Sequence, residues 1–148
     1  MTEQDAAAVA RVFFEAWNDR DFDRGAAIIA DDGELIEVAT DEHYLGSAGL
    51  REEYDKWANA FPDGKVEIRD SFSAGERVGV ECSFRGTNTG AFTGAAGEIP
   101  ATGRAVRFDF CTIMQITGGK LTKARHYHDT ATIMLQLGLM TEMAGAST

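Results

Sequence analysis

The chain is poor in the residues that staple or punctuate a fold. Two prolines and two cysteines occur among its 148 residues. Cys82 and Cys111 stand alone, without Cys-x-x-Cys or any other metal-ligand spacing. Neither a thiolate metal site nor a disulfide framework is indicated, and both read as buried free thiols. Positive charge is also short: 14 Lys and Arg face 24 Asp and Glu, a formal net charge of −10. A nucleic-acid partner calls for a basic stripe, and the few basic residues here are scattered among acids. No apolar run approaches the roughly 20 residues of a membrane span. The opening MTEQDAAAVARVF lacks the basic start and apolar core of a secretory signal, so a cytoplasmic location is the expectation.

Several constellations that would announce a chemistry are missing as well. There is no GxSxG elbow, no GxGxxG after a strand, no P-loop and no HExxH. TGAFTGAAGEIPATG is glycine-rich, but no helix follows it and no Lys-Ser/Thr closes it, which fits a loop at a pocket rim better than a phosphate cradle. What is present is the composition of an ordinary globular protein, 44% hydrophobic and 26% charged. One domain over residues 1–148 is expected, large enough to bury a core without staples.

Periodicity orders the elements. Val9, Val12, Phe13, Ala16 and Trp17 recur at helical spacing and predict a helix over 4–20. DFDRGAAIIA predicts a second, shorter helix ending at an Asp31-Asp32-Gly33 turn, and ELIEVAT a strand. Ser47 is placed to cap a third helix, in which Leu50, Tyr54, Trp57 and Phe61 share a face and which Pro62 stops. KVEIRDSFS, RVGVECSFRGTNTG, AVRFDFCTIMQIT and KLTKARHYHD then alternate as strands do, and the tail from Thr130 to about Met143 returns to helix. The fold class is α+β. A bent antiparallel sheet with N-terminal helices and a C-terminal helix would make a cone around an apolar pocket.

Gly118-Gly119 between two alternating strands predicts a two-residue hairpin. Counting back from it, Ile116 faces Leu121, Met114 faces Lys123, Thr112 faces Arg125, Phe110 faces Tyr127 and Phe108 faces Asp129. One face then carries Phe108, Phe110, Met114, Ile116, Leu121 and Tyr127, with Arg125 and Asp129 among them. His126 and His128 turn to the other face, His128 opposite Asp109. A three-residue loop would slip the register by one and bring both histidines to the apolar side. In the two-residue register Asp129 sits among aromatic rings, where desolvation would raise its pKa and make it a better base toward a carbon acid. Asp directly before TATIMLQLGLM is equally a good N-cap.

Other residues also have two readings. Arg125 on the apolar face can orient a substrate carbonyl or pair with an acid such as Glu81. Asp109 and His128 can form a proton-shuttling dyad or a cross-strand pair. Trp17, Tyr54, Trp57 and Phe61 are core residues unless the cone is hollow, in which case they wall its pocket.

The segments FFEAWNDRDFDRGAAIIADD, HYLGSAGLREEYDKWANAFPD, RGTNTGAFTGAAGEIPATGRAVRF and GGKLTKARHYHDTATIMLQLGL together resemble a SnoaL-like polyketide cyclase (ester cyclase) domain of the nuclear-transport-factor-2-like superfamily. The resemblance spans nearly the whole chain. It implies an α+β cone, usually a homodimer, with a deep apolar pocket for a hydrophobic polyketide-like substrate and neither metal nor organic cofactor. It also implies that Asp129, before the last helix, removes a proton so that the enolate closes a ring by aldol addition. Phe108, Phe110, Met114, Trp17 and Trp57 would wall the pocket, and Tyr127, Arg125 or Asn88 could hold the enolate oxygen. Asn88 stands where many relatives have histidine, and it can donate a hydrogen bond but cannot shuttle a proton. The same scaffold carries ketosteroid-isomerase-like and epoxide-hydrolase-like enzymes and non-catalytic binding modules.

Overall fold

The computed structural model describes residues 3–94 and 97–140. Helix α1 (Glu3–Asn18) leads into the short α2 (Phe22–Ala26), then β1 (Ile29–Glu37), β2 (Glu42–Leu45) and α3 (Gly46–Ala60). The long strands β3 (Lys65–Ala74) and β4 (Arg77–Thr87) follow. A small hairpin, β5 (Phe92–Gly94) and β6 (Gly97–Ile99), separates them from β7 (Ala105–Thr117), β8 (Lys120–His128) and α4 (Thr130–Gln136). The main sheet is curved and six-stranded, in the order β2-β1-β8-β7-β4-β3. Its neighbours run antiparallel except β1 and β8, which are parallel, so the α+β sheet is mixed.

Alternation decides which face is covered. In β7, Val106, Phe108, Phe110, Thr112, Met114 and Ile116 are buried and point toward the helices. From α1, Phe13, Phe14 and Trp17 meet them, and from α3, Leu50, Tyr54 and Phe61. Arg20, at φ 57°, closes the end of α1. Its guanidinium lies 3.9 Å over the Trp17 ring and donates to the carbonyls of Trp17, Phe61, Pro62 and Gly64. Gln136 docks α4 on β7 by accepting from Arg107 N at 2.7 Å and donating to Arg107 O at 2.8 Å, as a strand partner would.

Several local expectations need correction. Asp31-Asp32-Gly33 is no turn but lies inside β1, where pairing to β8 jumps from Ile29↔Leu121 to Glu34↔Lys123. Ser47 does not cap α3; extended Leu45 precedes the helix without a side-chain cap. The last helix stops at Gln136 because Gly138, at φ 75°, forms a left-handed end in which Gly138 N bonds Leu135 O and Leu139 N bonds Met134 O. The expected extension over 141–143 lies outside the described residues.

The decisive correction concerns the β7–β8 register. The hairpin turn is as expected, with Gly118 and Gly119 at φ 60° and 82° and Thr117↔Lys120 and Ile116↔Leu121 paired. The next pair is Gln115↔Lys123, which leaves Thr122 as an extra residue whose hydroxyl donates to Gln115 O at 3.1 Å. This bulge slips the rest of β8 by one, because the side-chain period of a strand is two. Ala124, His126 and His128 therefore point inward opposite Met114, Thr112 and Phe110, while Arg125 and Tyr127 point outward.

Gly33 lets β1 follow β8 past the bulge. A Cβ there would stand 2.5 Å from Ile29 Cγ1 and 2.8 Å from Leu121 O. Gly33→Ala is expected to lower stability by about 1–3 kcal/mol, as overpacking against backbone does, read as a lower urea midpoint.

Candidate active site

Sheet and helices enclose a cavity whose walls are mostly rings, among them Phe13, Trp17, Tyr54, Trp57, Phe84, Phe108 and Phe110. Its volume is about 50 Å³, room for several waters, whereas sites for drug-sized ligands offer roughly 300–1,000 Å³. Phe14 and Val66 separate it from an outer groove beside α1 and β3. Four carboxylate and imidazole side chains interrupt the rings: Glu37, Glu53, His126 and His128.

His126 and Glu53 form a buried pair. Nε2 of His126 lies 3.4 Å from Oε2 of Glu53, an ion-pair distance without hydrogen-bond alignment, and neither atom has a hydrogen-bond partner among the described residues. Nδ1 of His126 is held 2.8 Å from the Thr112 hydroxyl, so the ring orientation is set from β7. Burial opposes the imidazolium, but attraction to Glu53, with a further part from Glu37, leaves the pKa of His126 raised.

Glu37 carries a second polar cluster. Its carboxylate accepts from Trp57 Nε1 at 2.8 Å and contacts the Lys56 ammonium. Burial, then repulsion from Glu53, raises the Glu37 pKa despite the Lys56 charge. Lys56 donates onward to the Tyr44 hydroxyl at 2.8 Å and to Glu42 at 3.3 Å. His128 has no such partner among the described residues. The rings of Trp57 and Phe110 stack against it with centroids at 5.3 and 5.1 Å. Burial, followed by repulsion from His126 and Lys56, drives its pKa down to about 3. At neutral pH it is an uncharged imidazole, able to donate one hydrogen bond and accept another.

The family model described as SnoaL-like polyketide cyclase matches residues 7–137. The chain belongs to that family. No curated protein matches the SnoaL-like chain in sequence. Solved structures do match it in fold. A proposed SnoaL-like polyketide cyclase from Jannaschia sp. CCS1 superposes with a TM-score of 0.82 at 17% identity, covering 95% of this chain and 96% of that one. A protein from Catenulispora acidiphila DSM 44928 with a ketosteroid-isomerase-like fold gives 0.74 at 18% identity over 89% and 93%. An epoxide hydrolase of M. tuberculosis gives 0.70 at 19% identity over 91% and 90%. At these identities the likeness shows the nuclear-transport-factor-2-like cone and not a shared chemistry.

The SnoaL-like chain places its sequence-predicted residues unevenly. Trp17, Tyr54, Trp57, Phe108 and Phe110 line the cavity. Phe61 stands behind the wall, stacked on Trp57, and Met114 is buried in the core away from the lining. Asn88 is wholly buried and spent on structure: its amide donates to Ala60 O and Gly90 O, and its Oδ1 accepts from Thr102 N and Oγ1. It has no donor left for an enolate. Arg125 and Tyr127 lie on the outer face for the register reason already given, and Arg125 forms no ion pair among the described residues. Asp109 faces Ser83 rather than His128. Asp129 is exposed at the N-cap of α4, accepting from Thr132 N at 3.1 Å and Thr132 Oγ1 at 2.7 Å. The Thr132 hydroxyl and then the backbone hold its pKa below the ordinary value, the opposite of the shift expected in an apolar pocket. Phe108 lines both the cavity and the separate surface hollow beside Asp129.

The residues that sequence reasoning passed over are Glu37 and Glu53 as pocket groups, with Lys56 beside Glu37; the two histidines were expected inside only in the slipped register. Glu53 had a signal: it falls three after Leu50 and four before Trp57, inside the apolar stripe of α3. Glu37 had one too, two residues from Leu35 and hence on the same strand face.

A raised His126 pKa means that the folded SnoaL-like chain binds this proton more tightly than the unfolded one. The contribution is complete below the ordinary histidine value of 6.5 and is lost as pH rises through the folded value. Urea unfolding measured between about pH 6 and about pH 9 is expected to show falling stability, with a shallower fall in Glu53→Gln. Asn88→Ala, which leaves buried backbone groups unpaired, is expected to cost on the order of 2–3 kcal/mol in the same measurement.

Proposed function

We propose that this protein is a cofactor-independent enzyme that takes the reacting end of a hydrophobic, polyketide-like carbonyl compound into the cavity and removes a proton α to the carbonyl, with Glu37 as base. The observation that carries this is the Glu37 carboxylate: it faces a ring-lined cavity, is oriented by Trp57, and has a pKa raised by burial. Carboxylates tuned this way are effective toward carbon acids near neutral pH. The α C–H bond breaks, the proton goes to Glu37, and the electron pair becomes an enolate. His128, neutral in its aromatic slot, donates its N–H to the enolate oxygen, the part a neutral imidazole of lowered pKa can play. In ring closure the enolate carbon forms a bond to a second carbonyl carbon of the same molecule, and the resulting alkoxide takes the proton back from Glu37. The steps call for no metal or organic cofactor.

The expectation that Asp129 is the base has weaker support. Its carboxylate is solvated, capped and beside a surface hollow separate from the cavity. An isomerase reading is favoured by one observation, the Glu53–His126 pair on the same cavity, a second place from which a proton could be returned to a different carbon. A homodimer and a cytoplasmic setting belong to the same proposal; half-exposed Tyr127 on the outer sheet face supports the first.

The β,γ-unsaturated ketone 3-cyclohexen-1-one is a small probe of this proton abstraction, followed by the ultraviolet absorption of its conjugated isomer. Isomerisation above the buffer rate is expected, with a loss of about 10²–10⁴-fold in Glu37→Gln, the usual worth of a general base. Asp129→Asn is expected to retain the rate. The reverse pattern would move the base to Asp129, and no isomerisation at all would leave a binding module. The acid limb of kcat/KM should lie above the ordinary glutamate value of 4.5, since the base must be ionised and its pKa is raised.

A further inference from the structure

The cavity and the surface are joined by one continuous polar chain. Glu37 lines the cavity, while Lys56, Tyr44 and Glu42 line a separate surface hollow together with Glu52 and Asp55. Between the two, Lys56 Nζ contacts Glu37 Oε1, donates to Tyr44 OH at 2.8 Å and lies 3.3 Å from Glu42 Oε2. The Tyr44 hydroxyl in turn donates to Glu42 Oε2 at 2.9 Å, and Thr40 Oγ1 fixes the other Glu42 oxygen at 2.7 Å. The donors beyond Lys56 are aligned outward: ammonium to phenol, phenol to carboxylate. The Lys56 side chain is 7% exposed and that of Glu42 18%, so exposure to the surface rises toward the outer end of the chain.

We propose that Lys56, Tyr44 and Glu42 are a proton relay that exchanges the proton held by Glu37 with solvent through the outer hollow. This rests on the reading of Glu37 as the base. The transfer balances without any further reagent. Lys56 releases one of its three protons outward, to Glu42 directly or through the Tyr44 hydroxyl, which passes on its own proton as it accepts. Lys56 then takes the proton from the Glu37 carboxylic acid and is an ammonium again. Glu42 gives its proton to water in the hollow, restoring Glu37 and Glu42 as carboxylates. Burial raises the Glu42 pKa, but the Thr40 hydrogen bond, the Lys56 charge and the bonds from Tyr44 and Lys56 together outweigh it. The pKa stays below the ordinary value, so a proton that reaches Glu42 leaves readily at neutral pH. Among the described residues the other hydrogen bond to Glu37, from Trp57 Nε1, leads no further, and the facing atoms of the Glu53–His126 pair are buried without hydrogen-bond partners. None of the relay residues touches the cavity, so they act through Glu37 and not on substrate.

Isotope content separates relay from base. 3-Cyclohexen-1-one is isomerised in D2O, and the deuterium at the newly formed C–H bond is counted per molecule of product by mass spectrometry. If Glu37 exchanges through the relay, product from the unaltered protein carries solvent deuterium. Glu42→Gln, which keeps the hydrogen bonds but removes the titrating acceptor, then lowers that content several-fold, whatever the overall rate. Tyr44→Phe lowers it to a lesser degree, because the direct step from Lys56 to Glu42 remains. Glu52→Gln, in the same hollow but outside the chain, leaves it unchanged. A deuterium content in Glu42→Gln equal to that of the unaltered protein overturns the relay while isomerisation upholds the base. Absence of deuterium from the unaltered protein's product does the same. No isomerisation removes the base reading and the relay with it. Matching circular dichroism spectra establish that each variant is folded.

Discussion

Thr122, the extra residue between Leu121 and Lys123 on β8, is the constraint from which the site follows. A strand has a side-chain period of two, so one inserted residue exchanges the inner and outer sets of everything beyond it. Ahead of the bulge the hairpin pairs as its two glycines require. Beyond it, Ala124, His126 and His128 face the helices. Both neighbours of β8 accommodate the slip. Thr122 bonds Gln115 O on the β7 side, and on the β1 side the irregular stretch ending at Gly33 lets the backbone approach Leu121. Without the bulge Arg125 and Tyr127 would point inward in place of the two imidazoles.

The imidazoles arrive in a pocket that already holds two carboxylates, and that combination is expensive to bury. A charge removed from water must be paired or neutralised. Lys56 answers Glu37, and His126 answers Glu53. Neither answer is complete: Glu37 holds a proton more tightly than an ordinary glutamate, and the facing atoms of Glu53 and His126 stay without hydrogen bonds among the described residues. Such incompletely satisfied polar groups trade stability for reactivity, which is common where chemistry is carried out. The aromatic walls heighten the effect by excluding water, and they hold His128 neutral between Trp57 and Phe110.

The helices were legible because their signals are local. The stripe from Val9 to Trp17 and the face Leu50–Tyr54–Trp57 are read from spacing within one element, and both pack as that spacing requires. So were the four long strands and the Gly118-Gly119 turn. Asp129 as an N-cap was legible for the same reason, since the cap is a contact with a residue three positions on. Glu53 was legible in principle and missed, because a carboxylate in an apolar stripe is easily taken for a surface residue.

The amino-acid sequence by itself determined the order of the helices and long strands, the apolar faces of the helices and the family, since each rests on periodicity or on runs of matching residues along the chain. Only the tertiary structure decided which members of HYHD enter the pocket. That choice depends on an insertion between two strands that are paired across space, and on a parallel neighbour, β1, more than eighty residues away in the chain. A bulge leaves almost no local trace: Leu121 and Ala124 both point inward though their spacing is odd. The hydrogen bonds that define it belong to β1 and β7 as much as to β8, so no window along the sequence contains them.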